Sequence, residues 1–371
     1  MTPVADKLRE ADWDEVSLSI PATTPRRVEQ ALAAQQPDIN DFMALVSPAA
    51  EAYLEPMAAK AQLITRRHFG NTISMFVPLY LSNLCANECT YCGFTMSNRI
   101  RRKTLSMEEI ALEAIAIRKM GFRHLLLVTG EHETKVGMPY FLEALAVLRR
   151  FFDYLMIEVQ PLHTQEYQQL QQAGIDGVLV YQETYHRRQY GQYHLRGNKK
   201  NFDWRLETSD RLGQAKMQKI GVGALLGLAD WRTDSTFAAM HTSLIHKYYW
   251  RSRCSVAFPR LRPCEGSTPS ASMISDKQLV QLICAHRIMH PQAELSLSTR
   301  ESAYFRDNVA SLGVTSMSAA SQTQPGGYSA QTEHLNQFDT EDHRSASQVA
   351  AALSQQGLEP VWQDWLPGFR G

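Results

Sequence analysis

The 371-residue chain is 44% hydrophobic and carries 38 basic and 38 acidic side chains, so its formal net charge is zero. That balance offers no electrostatic basis for binding nucleic acid or an anionic membrane surface. No apolar run approaches the roughly 20 residues needed to span a bilayer, and the polar N-terminus lacks the apolar core of a secretory signal. We therefore expect a cytoplasmic protein with a core large enough for one barrel or two domains.

The first 70 residues have a helical pattern. Apolar positions recur at intervals of three and four residues, and Pro37, Pro48 and Pro56 interrupt them. This pattern predicts a set of short helices over residues 1–70, packed as an extension ahead of the main domain.

From residue 71 the pattern changes to short apolar runs that alternate with helical segments. A helix is predicted after Ser106, because Glu109 completes a capping box with it. Strands separated by helical segments of roughly 10–15 residues indicate βαβ units and a parallel sheet. Eight predicted strands favour a closed (β/α)8 TIM-type barrel over residues 71–330, followed by a small C-terminal cap over 331–371. An open doubly wound sheet is the alternative, but no G-x-G-x-x-G loop follows the first strand. The predicted strands are 73–81, 124–131, 155–162, 177–185, 222–231, 255–263, 293–301 and 313–322.

Three cysteines follow the first predicted strand. Cys85, Cys89 and Cys92 have C-x3-C-x2-C spacing, and Tyr91 precedes the last of them. A four-iron cluster normally takes four cysteine thiolates, so a loop with three leaves one iron open to a small molecule. A structural zinc site is the alternative, but such sites are closed by four ligands. The other cysteines are scattered singly, more than a hundred residues away: Cys254, Cys264 and Cys284.

Several polar residues lie at the C-terminal ends of predicted strands, where barrel enzymes carry their chemistry. A turn of Thr129, Gly130 and Glu131 follows the second strand, and its glycine permits close approach of a ligand. The alternative is an ordinary βα turn. Glu158 lies within an apolar strand, where a carboxylate is costly unless paired, so we expect it to face a ligand. Glu183 follows the fourth strand, where an acidic side chain could accept hydrogen bonds from a ligand.

Arginines follow the sixth and seventh strands. Arg260 and Arg262 stand between prolines, and Ser298 and Arg300 lie in the sequence STRE. A guanidinium holds a carboxylate through two parallel hydrogen bonds, as an amino-acid substrate would require. The alternative is that an interior arginine pairs with Glu301.

The cysteine loop resembles that of the radical S-adenosylmethionine superfamily. The resemblance implies that Cys85, Cys89 and Cys92 hold a [4Fe-4S] cluster whose fourth iron is chelated by S-adenosylmethionine, with Tyr91 near the adenine. The turn at residues 129–131 would receive the methionyl ammonium, although threonine replaces the first glycine of the usual Gly-Gly-Glu.

Further roles are implied by similarity to biotin synthase and its relatives. Glu183 matches their ribose-binding acid, and Arg211 matches the arginine that pairs with the methionyl carboxylate. We group Glu158 with these cofactor-facing residues. For Arg211, a solvated helix face is the alternative.

Nearly the whole chain resembles the tyrosine lyases of thiamin biosynthesis. That resemblance implies cleavage of the Cα–Cβ bond of L-tyrosine to 2-iminoacetate (dehydroglycine) and p-cresol, with an external electron donor such as flavodoxin and a thiazole synthase as partner. Arg300 and Ser298 would hold the tyrosine carboxylate, and Arg260 would shape the same side. The segments that carry the likeness are NRIRRKTLS, LLLVTGEHETKVG, IEVQPL, residues 181–213, FPRLRPCEG, SLSTRE and EPVWQDW.

Other functions stay open. The tyrosine lyase that matures iron-only hydrogenase carries a second, C-terminal cluster, but no cysteine follows Cys284 here. Biotin synthase also needs a second cluster, and the remaining cysteines form no compact set. A radical lyase acting on another aromatic amino acid, such as tryptophan, and a non-catalytic metal-binding barrel are the remaining alternatives.

Overall fold

Eight parallel strands close into a barrel in the computed structural model, which describes residues 2–264, 273–329 and 336–363. The strands of the described residues are β1 (Thr72–Ser82), β2 (Glu88–Cys89), β3 (His124–Thr129), β4 (Tyr154–Glu158), β5 (Gly177–Leu179), β6 (His194–Arg196), β7 (Lys219–Gly223), β8 (Arg253–Ala257), β9 (Glu294–Leu297), β10 (Ser316–Ser318) and β11 (Glu359–Val361). The barrel order is β1-β3-β4-β5-β7-β8-β9-β10, and β10 pairs with β1 to complete the ring. The predicted (β/α)8 barrel is therefore confirmed.

Helices surround the barrel and precede it. The capping box predicted at Ser106 is present, with its hydroxyl accepting from the Glu109 backbone. None of the helices in the described residues is long and apolar enough to cross a membrane. They are α1 (Pro3–Glu10), α2 (Trp13–Ser19), α3 (Pro25–Ala33), α4 (Ile39–Val46), α5 (Leu54–Phe69), α6 (Met107–Lys119), α7 (Met138–Leu148), α8 (Thr164–Gln172), α9 (Arg187–Tyr193), α10 (Phe202–Leu206), α11 (Thr208–Gln214), α12 (Trp231–Tyr248), α13 (Asp276–Met289), α14 (Ala303–Val309) and α15 (Ala346–Gln355).

The fifth barrel strand lies earlier than predicted. The prediction placed it at 222–231, whereas β7 spans Lys219–Gly223. The apolar residues that follow, from Ala224 to Ala229, are almost all buried within a βα loop. A run of apolar residues indicates that a segment is buried, but it does not show that the segment is a strand. The sequence pattern therefore could not distinguish this buried loop from a strand.

The five N-terminal helices lie against one side of the barrel. Asp210 of α11 accepts hydrogen bonds from the backbone N–H groups of Val4 and Ala5 at 3.1 and 3.0 Å. Gln281 of α13 donates to the carbonyls of Leu45 and Ser47 at the end of α4. The division into an extension over 1–70, a barrel over 71–330 and a cap over 331–371 stays a prediction.

The C-terminal segment reaches both ends of the barrel. β11 extends the sheet outside β1, where Thr72 pairs with Glu359, at the N-terminal end of that strand. Gln337 instead lies at the opposite end, where Gly93 donates to its carbonyl at 3.1 Å. Asp342, further along the same segment, forms a buried ion pair with Arg306. Of the predicted cap, residues 331–335 and 364–371 lie outside the described residues.

The lumen of the barrel has two chemically different walls. TIM barrels are normally filled by large branched side chains, but here one wall carries serines, and a cavity remains. The apolar wall is formed by Phe76, Tyr80, Leu126, Val128, Met156 and Leu179, and the hydroxyl wall by Ser255, Ser296, Ser298, Ser316 and Ser318.

Candidate active site

The cysteine loop is held at the C-terminal end of the barrel by a short antiparallel ribbon. β2 pairs with β6, so that Cys89 is opposite His194. The Thr95 hydroxyl accepts a hydrogen bond from the Cys89 N–H at 2.8 Å. This ribbon was not predicted, because each of its strands is only two or three residues long.

Arg102 fixes the ends of the same loop. Its guanidinium donates to the carbonyls of Asn83 and Phe94, both at 2.8 Å, and to that of Thr95 at 2.6 Å. One side chain thereby ties the start of the loop to its end. This constraint holds the loop in a defined shape over the barrel mouth.

The three thiols fit the attachment of a four-iron cluster. Cys85, Cys89 and Cys92 all line the cavity and form no disulfide. Cys264 lies beside the loop, but its thiol donates to the Tyr91 carbonyl at 3.2 Å and it is not part of the cavity lining. Within the described ranges, the cavity therefore presents three cysteines without a fourth.

Burial controls the ionisation of these thiols. It raises the pKa of Cys85 to about 11, with the nearby Glu131 carboxylate adding to the effect. Burial also raises the pKa values of Cys89 and Cys92. Bound iron would supply the positive charge that the thiolate forms require. Among the described residues, no group of three or more His, Cys, Asp or Glu side chains is arranged to hold a single metal ion.

The turn after β3 is joined directly to the cysteine loop. The backbone N–H of Gly130 donates to the Ser82 carbonyl at 2.8 Å. The backbone carbonyl of Glu131 accepts a hydrogen bond from the Ala86 N–H, also at 2.8 Å. The Thr129 hydroxyl is buried, lines the cavity and has no hydrogen-bond partner in the described parts of the chain. An unsatisfied buried hydroxyl at this place suits a polar ligand.

Gly130 is required by this close approach. A Cβ at this position would lie 2.4 Å from the Leu84 carbonyl oxygen and 3.2 Å from the Cys85 Cβ. We expect Gly130→Ala to push the cysteine loop away and to lower iron incorporation severalfold, while the far-ultraviolet circular dichroism spectrum stays that of the parent. Gly191→Ala is the matched control, because a Cβ there meets nothing within 4 Å. Equal iron content in all three proteins would contradict this interpretation.

Four charged side chains, two buried and two half-buried, form a network beside the loop. Glu183 pairs with Lys199 at 2.8 Å and with Arg205 at 3.4 Å, and Arg205 also pairs with Glu131 at 3.0 Å. Burial disfavours ionisation of both carboxylates, but Lys199 and Arg205 lower their pKa values below the usual range. Glu183 has a φ of 71°, a strained conformation for a residue with a side chain and one typical of functional sites.

The sequence prediction missed Lys199 and Arg205. Both line the cavity, and the Arg205 Nε also donates to the Tyr181 carbonyl at 2.6 Å. The available signal was their place in residues 181–213, the longest segment of the family resemblance. Tyr91, which was predicted, also lines the cavity, and its hydroxyl lies 2.7 Å from the His194 Nε2.

Two predicted arginines are not brought to the cavity lining. Arg211 is buried against the Trp204 ring, 3.5 Å from its centroid, and donates to the Leu162 carbonyl at 2.8 Å. Arg260 pairs with Glu301 and, at 2.7 Å, with Asp276. Neither residue lines the cavity. The alternative of pairing with Glu301 describes Arg260 correctly, whereas Arg211 is neither a cavity residue nor on a solvated face.

Glu158, Ser298 and Arg300 line the cavity, as predicted for ligand-facing residues. The Arg300 guanidinium lies 3.3 Å from the centre of the Phe338 ring and donates to the Arg260 carbonyl at 3.3 Å. The backbone N–H of Arg300 is 3.4 Å from the Ser298 hydroxyl. The sequence did not predict that Phe338 or its neighbour Gln337 would line this cavity.

Comparison with known proteins gives consistent matches along the chain. Residues 79–238 match the radical SAM superfamily and residues 257–359 the biotin and thiamin synthesis associated domain. The 2-iminoacetate synthases of Escherichia coli and Salmonella typhimurium are each 57% identical over 98% of this chain and 97% of their own length. The crystal structure of HydG, a maturase of the [FeFe]-hydrogenase, superposes with a TM-score of 0.86 at 28% identity, covering 98% of this chain and 80% of that one.

Proposed function

Because this chain belongs to the 2-iminoacetate synthase family of radical S-adenosylmethionine enzymes, we propose that it cleaves the Cα–Cβ bond of L-tyrosine to 2-iminoacetate and p-cresol, for thiazole formation in thiamin biosynthesis. The observation that carries the proposal is the 57% sequence identity to two 2-iminoacetate synthases over 98% of this chain. A three-cysteine loop over a cavity that also contains Arg300 agrees with it.

Cys85, Cys89 and Cys92 are the residues that would hold the [4Fe-4S] cluster. When bound, the cluster and S-adenosylmethionine supply a 5′-deoxyadenosyl radical, the species that starts the reaction. The protein's part is to bind, orient and shield the reactants. The barrel walls and Gln337 line the cavity, and we propose that they limit the access of water to a reactive carbon radical.

The charged network beside the loop supplies groups for S-adenosylmethionine. Thr129 and Glu131 would receive the methionyl ammonium, and Glu183 the ribose hydroxyls. We assign the methionyl carboxylate to Arg205 in place of Arg211, because Arg205 lines the cavity and Arg211 does not. Tyr91 would lie near the adenine.

The remainder of the cavity lining suits tyrosine. We assign its carboxylate to Arg300 and Ser298, because the guanidinium has no carboxylate partner within 4.0 Å among the described residues. The apolar wall, which includes Phe76 and Met156, offers a surface for the aromatic ring.

Two protein partners belong to this function. Because 2-iminoacetate hydrolyses in water, we propose that it passes directly to a thiazole synthase. An external one-electron donor such as flavodoxin would reduce the cluster. Exposed basic side chains on and beside the cysteine loop would suit a donor with an acidic surface: Arg99, Arg101, Arg196 and Lys200.

A product assay tests the function. The protein is reconstituted anaerobically with iron and sulfide, reduced, and incubated with S-adenosylmethionine and either tyrosine or tryptophan. We expect 5′-deoxyadenosine, and p-cresol only when tyrosine is present, both detected by mass spectrometry. An indole fragment from tryptophan would point to the other aromatic substrate. No cleavage of S-adenosylmethionine by a fully loaded cluster would favour a non-catalytic barrel.

A further inference from the structure

Two charged side chains in the cavity lining have no ion-pair partner among the residues that the structure describes. They are Glu158 and Arg300, which carry opposite charges. Neither forms a salt bridge within 4.0 Å among the described residues. The other charged lining residues are paired: Glu131 and Glu183 with Lys199 and Arg205, Arg262 with Glu301 and Glu341, and Lys219 with Glu294.

Glu158 and Arg300 come from opposite sides of the barrel. Glu158 ends β4, and Arg300 follows β9. These strands are four places apart in the closed ring of eight, so they face each other across the lumen. The two unpaired charges therefore lie on opposing walls of one cavity.

In the part of the chain that the structure describes, no cationic side chain lies within 4.0 Å of the Glu158 carboxylate. Burial raises its pKa to about 7, and the Glu183 carboxylate adds to this, while Arg300, Lys199 and Arg205 act in the opposite direction from a distance. Among the groups facing it are the phenols of Tyr80 from β1 and Tyr181 beyond β5, whose pKa values are raised by burial and by the Glu158 charge. A half-buried carboxylate that is desolvated in this way is stabilised by a ligand that brings its own positive charge.

We propose that Glu158 binds the ammonium group of the substrate while Arg300 binds its carboxylate, so that the cavity recognises the zwitterionic head of an α-amino acid. The proposal rests on the tyrosine-lyase function and moves Glu158 from the cofactor to the substrate. β4 adjoins β3, whose C-terminal turn contacts the cysteine loop. The amino nitrogen would thus be fixed on the wall that leads to the loop.

Binding of matched ligands tests this without turnover. L-Tyrosine and 3-(4-hydroxyphenyl)propanoate, which lacks the amine, are titrated anaerobically into the reconstituted holoenzyme with S-adenosylmethionine but no reductant. We expect Glu158→Gln to weaken tyrosine binding about 10- to 100-fold, the range of a hydrogen bond to a charged group, and to leave the propanoate unchanged. Glu133→Gln, outside the cavity lining, should change neither.

The pH dependence gives a second readout. Because the free carboxylate of Glu158 is protonated below about pH 7, tyrosine affinity of the parent protein should fall as the pH drops from 8 to 6. The Glu158→Gln variant and the propanoate ligand should lack this dependence. Glu158→Asp keeps the negative charge, so it should bind tyrosine more tightly than Glu158→Gln does. Such partial recovery would show that the weaker binding of Glu158→Gln is not caused by misfolding.

Equal weakening of both ligands by Glu158→Gln, or no weakening of either, would overturn the assignment. Failure of the parent enzyme to form p-cresol would instead overturn the proposed function. The two failures are distinguishable because binding is measured without reductant, whereas p-cresol forms only after reduction.

Discussion

Replacing Cys89 by alanine is expected to abolish both S-adenosylmethionine cleavage and p-cresol formation. Cys89 is the buried member of the three thiols, and its position is fixed by the Thr95 hydroxyl and by the pairing of β2 with β6. With two thiols left, the loop cannot hold three corners of a cluster. Iron content, the visible absorbance of the reconstituted protein and 5′-deoxyadenosine production should all fall to background.

Cys264→Ala is the matched control for that variant. Cys264 contacts the same loop through the Tyr91 carbonyl but does not line the cavity. We expect its alanine variant to retain iron and activity within about a factor of two. Full cleavage activity in Cys89→Ala, or complete loss in Cys264→Ala, would mean that a different set of cysteines holds the cluster.

The barrel was predictable because its information is local. Each strand is a short apolar run, and each following helix has its own pattern, so eight repeats identify a closed ring without knowledge of long-range contacts. The capping box at Ser106 is equally local and is confirmed. The misplaced fifth strand shows the limit, because the buried loop after Gly223 has the same composition as a strand.

The site residues that could be predicted from the sequence are those that directly follow a barrel strand. The cysteine loop, Glu131, Glu183 and Arg300 follow barrel strands, and a barrel brings such positions to one end. Lys199 comes from the long connection between β5 and β7, and Gln337 from beyond β10, so their approach depends on tertiary packing. No local pattern marks a residue delivered in this way.

The choice between neighbouring arginines also needed the structure. Arg205 and Arg211 are only six residues apart and both are buried, yet Arg205 lines the cavity and Arg211 stacks on Trp204. Arg260 and Arg300 differ in a similar way, since Glu301 neutralises only the first. Residue type and position after a strand do not determine which carboxylates are within reach.

Arg300→Ala is expected to remove tyrosine recognition while leaving the cofactor in place. Loss of one partner of a buried charge pair costs about 2–5 kcal/mol in binding, which corresponds to roughly 30- to several-thousandfold weaker affinity. Arg300 has no ion pair within the described parts of the chain, so its removal leaves no protein carboxylate unpaired. Tyrosine titration of the unreduced holoenzyme should show this loss, with unchanged iron content and S-adenosylmethionine affinity.

Two lysine variants, Arg300→Lys and Arg260→Lys, distinguish an effect on tyrosine binding from an effect on protein stability. Lysine at position 300 keeps the charge but lacks the planar fork, so we expect an intermediate tyrosine affinity. Lysine at position 260 should instead lower the melting temperature and leave tyrosine affinity unchanged, because Arg260 pairs with Glu301 and Asp276 outside the cavity lining. If Arg300→Ala binds tyrosine normally, or if only the Arg260 variant loses it, the substrate carboxylate lies on the Arg260 side.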